Sequence, residues 1–203
     1  FMEMQLARGA EFINHLAPLI REQLAPSAGA SDPQWSSETL LAISTHVEPG
    51  LIRVNADECT YPAHVILRYE MEQQLVAGTM EVADIPEAWD ASMQALLGLS
   101  TAGNYKDGCM QDVHWPSAGV GYFPTYTLGA IAAAQLKAAL TKDVPDVDRQ
   151  IARGDLSSIM TWLKENIWSQ GSLYGMQDLM TRATGKTLSV DDFKNHLKKR
   201  YLG

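Results

Sequence analysis

A helical periodicity of apolar residues runs through almost the whole chain and is interrupted for any length only between residues 99 and 124. Apolar side chains that recur every three or four residues form one buried face of an α-helix. The clearest helical patterns cover residues 2–24, 38–45, 60–77, 88–97, 125–140, 155–167, 176–184 and 190–200. The sequence therefore predicts a mainly α, bundle-like fold. A weak alternation at residues 50–55 allows at most a small β-hairpin.

Local signals predict where some of these helices begin and end. Pro18 lies inside the first helical pattern, and proline removes a backbone donor, so we expect a kink or a break there. Asp84 and Glu87 form a plausible capping pair in front of the helix that starts at Ala88. That helix is expected to stop at Gly98, since glycine favours the left-handed conformation that ends helices.

Size and charge restrict the class of protein. A chain of 203 residues predicts a single helical portion, and its net charge of −8 argues against a nucleic-acid surface. No apolar run approaches the roughly 20 residues that a membrane span requires. The two cysteines, Cys59 and Cys109, are far apart and predict reduced thiols, and the first residues lack the features of a signal peptide. These observations favour a cytoplasmic protein.

The interruption between residues 99 and 124 concentrates groups that can orient substrates and move protons. A long segment without periodicity inside a compact domain is more often functional than idle. An amide, a carboxylate, an imidazole and two phenols fall in or just after it, at Gln111, Asp112, His114, Tyr122 and Tyr126. Taken alone, a single histidine is usually a satisfied structural residue, and Tyr122 is equally consistent with aromatic packing.

Two other positions carry cations next to acids. Arg53 has Asp57 and Glu58 close in sequence, so an ion pair with one of them is the simplest interpretation of the residues alone. His64 and Arg68 are four residues apart and share one helix face. That face is consistent either with the lining of a groove or with a solvated charged surface, because acidic residues lie on the same helix at Glu70 and Glu72.

The histidine spacing does not predict a metal site within the chain. Two imidazoles reach one zinc ion from a helix when they are four residues apart. No pair has that spacing among the five histidines, which are His15, His46, His64, His114 and His196. A zinc site assembled from histidines distant in sequence is a weaker alternative.

Three segments together resemble a known family. Ile-Arg-x-x-Ala-Asp occupies residues 52–57, Gly-x-x-Gln-Asp-x-His-Trp residues 108–115, and Gly-Tyr-Phe-Pro-Thr-Tyr-Thr-Leu-Gly residues 121–129. These motifs are similar to those of the M32 zinc metallocarboxypeptidases, the carboxypeptidase Taq family. Asn55 departs from the family pattern, in which an acidic residue is common there. The chain also lacks the His-Glu-x-x-His helix of that family, so it resembles the C-terminal part of such an enzyme. The resemblance implies that zinc ligands lie upstream of Phe1.

The resemblance also implies roles for the residues named above. Arg53 would bind the C-terminal carboxylate of a peptide substrate, since a guanidinium binds carboxylates in bidentate fashion. Substrate binding is likewise expected of Gln111, Asp112 and Tyr122, with Asp112 orienting His114 or a zinc-bound histidine from upstream. His114 and Tyr126 are the expected catalytic groups, because such donors can stabilise a developing oxyanion.

Other interpretations stay open at this point. A non-catalytic α-helical interaction module could retain these motifs without the chemistry. A different hydrolase that uses Asp112 and His114 directly is a weaker alternative, because it lacks an obvious nucleophile. As a peptidase the protein would act on peptides, and a homodimer is compatible with the resemblance. This chain alone is expected to be inactive.

Overall fold

The computed structural model describes all 203 residues and contains helices but no β-strand. The mainly α prediction is therefore confirmed. The small hairpin that the sequence allowed at most is not formed, since residues 53–55 form a 3-10 turn. The α-helices are α1 (Ala10–Leu24), α2 (Ser37–Ser44), α3 (Tyr61–Ala77), α4 (Ile85–Leu97), α5 (Pro124–Asp143), α6 (Val147–Ile151), α7 (Ser157–Asn166), α8 (Met176–Thr184) and α9 (Asp191–Tyr201). None of them is long and apolar enough to cross a bilayer.

The helix boundaries agree with the local signals in some places and differ in others. α4 ends at Gly98, which has the left-handed φ of 70° that the glycine rule predicts. Pro18, in contrast, lies inside an uninterrupted α1, so the predicted break there is wrong. The helical pattern of residues 2–24 is instead broken near its start. A short π-helix, Met2–Ala7, ends there, and Gly9, just before α1, has extended backbone angles.

The predicted capping pair in front of α4 is also different in the structure. Asp84 makes no side-chain hydrogen bond at the start of α4. It instead forms a reciprocal capping box with Glu81 around the 3-10 turn Val82–Asp84, which comes directly before the helix. The capping motif is therefore three residues closer to the N-terminus than predicted, because a 3-10 turn lies between Glu81 and the start of α4.

The chain divides into two compact units, residues 1–46 with 129–203 and residues 47–128. A single portion over residues 1–203 stays a prediction. In the first unit α1 packs against α2 and α6. Its main core is an aliphatic and aromatic cluster around fully buried Leu140 and Val147, and a smaller cluster surrounds Phe193. Small residues of α5, Ala132 to Ala134 among them, are buried in this unit.

The second unit is built on the packing of α3 against α4. Its core consists of Leu67 and Met71 from α3 and of Trp89 and Met93 from α4, all of them almost fully buried. Trp115, from the irregular segment that follows α4, packs against this cluster. The core therefore attaches that segment to α3. Every residue of the candidate site belongs to this unit, which includes the first residues of α5 up to residue 128.

Candidate functional site

Arg53 is held in the interior of the second unit by an acid that is distant in sequence. Its Nε and Nη2 atoms donate to one oxygen of Asp112, at 3.1 Å and 2.8 Å, and Nη1 donates to the hydroxyl of Tyr61 at 2.8 Å. Asp57, one of the two partners suggested by proximity in sequence, instead accepts hydrogen bonds from Cys59, Thr60 and Glu48. Arg53 therefore depends on the irregular segment for its position.

Asp112 also binds a second arginine. Its other oxygen accepts from Nε of Arg68 at 2.6 Å, and Arg68 is fully buried in α3. Burial alone would raise the pKa of Asp112, but the hydrogen bonds and charges of Arg53 and Arg68 outweigh burial and leave this pKa below its ordinary value. Asp112 is therefore ionised, and the three groups together carry one excess positive charge.

His64 lies on the same helix face as Arg68 and is also fully buried. Burial, and then the charge of Arg68, lower the pKa of His64 to about 4. The imidazole is therefore neutral at pH 7 and adds no third positive charge beside the two arginines. Of the two interpretations that the sequence left open for this face, the solvated surface is wrong.

Gln111 supports the backbone around Arg53. Its side-chain oxygen accepts from the backbone N–H of Arg53 at 2.8 Å. Its amide nitrogen donates to the backbone carbonyls of Leu51, Asp107 and Gly108, at 3.0, 2.8 and 3.1 Å. Both polar atoms of Gln111 are thus occupied by this chain itself, and they join the segment around residue 52 to the segment around residue 110.

His114 and Tyr126 form a hydrogen-bonded pair. Nε2 of His114 lies 3.0 Å from the hydroxyl of Tyr126. The imidazole ring lies 4.3 Å from the ring of Phe123 and 5.7 Å from that of Tyr122, measured between centroids. Burial is the largest cause of a raised pKa for Tyr126, so its phenol keeps its proton. Tyr122 is half exposed beside this pair.

Asp112 does not orient His114 through a hydrogen bond. Nδ1 of His114 lies 3.9 Å from the nearer oxygen of Asp112, beyond hydrogen-bonding distance, and both oxygens of Asp112 already bind arginines. The structure thus differs from the expectation that Asp112 orients His114, whereas the alternative, a zinc-bound histidine from upstream as its partner, stays a prediction. An interpretation in which Asp112 and His114 act together without a metal lacks the hydrogen bond that it needs.

The site uses Arg68, for which the sequence left the lining of a groove open, and two residues that were not candidates, Tyr61 and Glu72. All three belong to one stripe of α3. Tyr61, Arg68 and Glu72 are spaced by seven and four residues, which places them on one face of a helix. They bind Arg53, Asp112 and the irregular segment, respectively. The spacing was a detectable signal, but the acids on the helix made a solvated face equally consistent with the sequence. Glu70 is exposed as expected, whereas Glu72 is buried.

The cluster is arranged so that it can bind an anion. A guanidinium has five N–H groups, and the hydrogen bonds of Arg53 to Asp112 and Tyr61 engage three of them. One N–H therefore remains on each terminal nitrogen. The guanidinium carbon lies 5.2 Å from the ring centroid of Tyr126, so the cation and the phenol belong to one cluster.

The buried imidazole of His64 predicts a loss of stability in acid. Its folded pKa of about 4 lies below the ordinary value of 6.5, so between these values the unfolded chain binds a proton that the folded chain does not. We expect the free energy of unfolding to fall as the pH drops from 6.5 towards 4, with a contribution of up to about 1.4 kcal/mol per pH unit. Urea unfolding at several pH values measures the slope. His64→Gln should reduce this slope, and equal slopes in both proteins would contradict the prediction.

Comparisons with known proteins give the chain a family. Residues 1–201 match the model of the carboxypeptidase Taq (M32) metallopeptidases. Thermostable carboxypeptidase 1 of Pyrococcus furiosus is 33% identical over 202 residues, which are 100% of this chain and 39% of the relative. The structure of Trypanosoma cruzi metallocarboxypeptidase 1 is 41% identical with a TM-score of 0.93, over 98% of this chain and 41% of that one. The chain thus spans about two fifths of these relatives, and it belongs to the carboxypeptidase Taq (M32) metallopeptidase family.

Proposed function

We propose that this chain supplies the substrate-binding and transition-state groups of a zinc-dependent carboxypeptidase, which removes the C-terminal residue from peptides. The relatives are named carboxypeptidases, and this chain corresponds to about two fifths of their length. The chain alone is proposed to be inactive, because the metal site belongs to another part of the enzyme. A cytoplasmic location is part of the proposal, and it is supported by two cysteines that form no disulfide.

The observation that carries the proposal is the state of Arg53. A carboxypeptidase must recognise a free carboxylate, and the guanidinium is the side chain best suited to bind one through two parallel hydrogen bonds. Arg53 is fixed by Asp112 and Tyr61 and retains one N–H on each terminal nitrogen. The excess positive charge of Arg53, Arg68 and Asp112 favours an anion at this place.

The pair of His114 and Tyr126 is the proposed source of transition-state stabilisation. In the tautomer that carries its proton on Nε2, His114 donates to Tyr126 across 3.0 Å, so the phenol's own hydrogen can be donated to a substrate. A carbonyl that becomes a tetrahedral oxyanion is stabilised by such a donor. The scissile carbonyl lies within about one residue, ~3.5 Å, of the terminal carboxylate. The 5.2 Å between Arg53 and the ring of Tyr126 is compatible with that span.

The residues of this chain do not themselves fit a zinc ion. No group of three or more histidine, cysteine, aspartate or glutamate side chains is arranged to hold a metal. Asp112 and His114 are the side chains of the candidate site that could bind a metal. Asp112 is bound to the two arginines, and His114 is bound to Tyr126. The proposal therefore assigns the zinc ligands to residues upstream of Phe1. The proposed roles of Arg53, His114 and Tyr126 are supported by the hydrogen bonds of these residues and do not depend on the assignment of the zinc ligands.

Metal analysis tests the assignment of the ligands. We expect the isolated 203-residue chain, dialysed after exposure to zinc, to retain less than one tenth of an equivalent, about the level of weak surface binding. The longer enzyme that contains this chain is expected to retain one equivalent. One tightly bound zinc ion per isolated chain would show that this part of the proposal is wrong.

Arg53→Lys tests carboxylate recognition in the complete enzyme. An ammonium cannot reproduce the fork of the guanidinium, so we expect kcat/KM on peptides with a free C-terminus to fall by about 100-fold, which is the scale of a lost charge-assisted pair. On peptides with an amidated C-terminus the wild-type enzyme should already be slow, and the variant should differ little from it.

The comparison of the two peptides separates recognition from folding. Arg153→Lys, at an exposed arginine of the first unit, is the matched control and should leave both rates unchanged. Equal losses on free and amidated peptides in Arg53→Lys would mean that Arg53 maintains the structure and does not bind the carboxylate.

His114→Ala tests the transition-state role. A donor to an oxyanion is typically worth about 3 kcal/mol, so we expect kcat of the complete enzyme to fall by about 100-fold with little change in KM. Val113→Ala is the control, because Val113 is the adjacent side chain and is exposed. A thermal melt accompanies the kinetics of both variants.

Two results of the His114→Ala experiment would count against the proposed role. An unchanged kcat would remove His114 from the mechanism and leave Tyr126 as the remaining donor. A large drop in the melting temperature, together with a lower kcat and a changed KM, would mean that His114 stabilises the fold. A non-catalytic helical module with the same motifs would show no turnover in the wild-type protein either.

A further inference from the structure

Glu72 is a buried carboxylate to which the proposed chemistry gives no role. It lies on α3 with only 4% of its surface exposed. One oxygen accepts from the indole Nε1–H of Trp115 at 2.7 Å, and the other accepts from the backbone N–H of Gly121 at 3.1 Å. A buried carboxylate that binds two neutral donors, rather than a cation, is uncommon and requires an explanation.

The two donors lie at the two ends of a tight excursion of the chain. Between Trp115 and Gly121 the backbone turns back on itself, with the N–H of Gly119 bonded to the carbonyl of His114 at 2.7 Å. Ala118 has a φ of 59° and Gly121 a φ of 77°, both in the left-handed region. Such a conformation is strained at an alanine and persists only where its surroundings hold it in place.

The residues just outside the two anchored positions belong to the proposed site. His114 precedes Trp115, and Tyr122 follows Gly121. Their rings lie 5.7 Å apart, and the ring of Phe123, one residue further, lies 4.3 Å from that of His114. Since Glu72 fixes both ends of the excursion, it also fixes how closely these rings approach each other.

The orientation of the indole supports a rigid anchor. Trp115 makes edge contacts with Trp89 and Phe123, at centroid distances of 6.3 and 6.1 Å and interplanar angles of 89° and 85°. The direction of its N–H is therefore fixed by the core and points at Glu72. A carboxylate on a regular helix provides two acceptors at a fixed place, and an amide provides only one.

Glu72 does not serve as the counter-ion of Arg68. The two residues are four apart on α3, the spacing at which opposite charges usually pair on a helix surface. Arg68 instead binds Asp112, and no ion pair joins Arg68 to Glu72. Each side chain of this stripe extends to a separate part of the irregular segment, so the negative charge of Glu72 is used on the two N–H donors.

We propose that Glu72 is a positioning residue, which acts by holding Trp115 and Gly121 so that His114 faces Tyr126 in the geometry needed for catalysis. The inference rests on the proposed function, because it assigns Glu72 to the same site. It adds a residue that contacts no substrate and lies outside the three sequence motifs.

Glu72→Gln in the complete enzyme is the first test, with Glu70→Gln as its matched control. Glu70 lies on the same helix, is exposed and undergoes the same loss of charge. A glutamine keeps one acceptor and replaces the other by a donor, which cannot accept from an N–H group. We expect kcat to fall between about 10- and 100-fold, as a misplaced group does, with KM changed less than about twofold. Glu70→Gln should leave both constants unchanged.

A double-mutant cycle identifies the residue through which Glu72 acts. If Glu72 acts by positioning His114, then Glu72→Gln should no longer lower kcat in the His114→Ala background. A general loss of folding would lower kcat by the same factor in both backgrounds, and that result would overturn the inference. A second variant, Trp115→Phe, removes one of the two donors and keeps an aromatic ring. Its effect on kcat should likewise disappear in the His114→Ala background, and this test remains available if Glu72→Gln folds poorly.

A measurement that does not depend on activity completes the test. Hydrogen exchange at the backbone N–H of Gly121 should be faster in Glu72→Gln and unchanged in Glu70→Gln, since only the first loses the acceptor. If His114→Ala lowers kcat but Glu72→Gln does not, the inference is wrong and the proposed function stands. If His114→Ala itself leaves kcat unchanged, the proposed role of His114 fails, and with it the catalytic meaning of Glu72.

Discussion

The two hydrogen-bonded ion pairs of Asp112 are the interaction on which the second unit depends. One carboxylate binds Arg53 through one oxygen and fully buried Arg68 through the other. Removing one partner of a buried ion pair typically costs about 3–5 kcal/mol, and here the loss of Asp112 would leave two cations unneutralised. This single side chain therefore fixes the irregular segment onto α3, and it places Arg53 where the proposed carboxylate recognition requires it.

Helix α3 serves as the rigid reference for a site that is otherwise made of turns. Tyr61 and Glu72 are eleven residue steps apart, about 16 Å of helix, and Arg68 lies between them on the same face. Their partners come from the turn at Arg53 and from two places in the irregular segment. Because a helix holds its side chains at fixed intervals, loops bound at three such points acquire a defined geometry without regular structure of their own.

The sequence predicted the parts of the structure that local rules govern. Apolar periodicity was sufficient for α3 and α8, and the glycine stop at Gly98 for the end of α4, because these features act within a few residues. The turn at Arg53 was left open, since a weak alternation over six residues does not distinguish a strand from a 3-10 turn. The sequence did not decide whether Arg68 and Glu72 are buried, because the i, i+4 spacing of opposite charges is also typical of a solvated surface. Their actual partners lie more than forty residues away.

The charges on α3 anchor two different parts of the proposed site. Arg53 is positioned through Asp112, whereas the turn that carries His114 is held at Trp115 and Gly121 by Glu72. If Arg68 and Glu72 paired with each other, as their spacing allows, both anchors of the irregular segment would be lost together. Each of the two charges instead has its partner in the irregular segment. Unfolding of that segment would leave the cation of Arg68 and the anion of Glu72 buried without partners, which is strongly unfavourable. The irregular segment is therefore anchored to α3 by charged groups at both Asp112 and Trp115, on either side of His114.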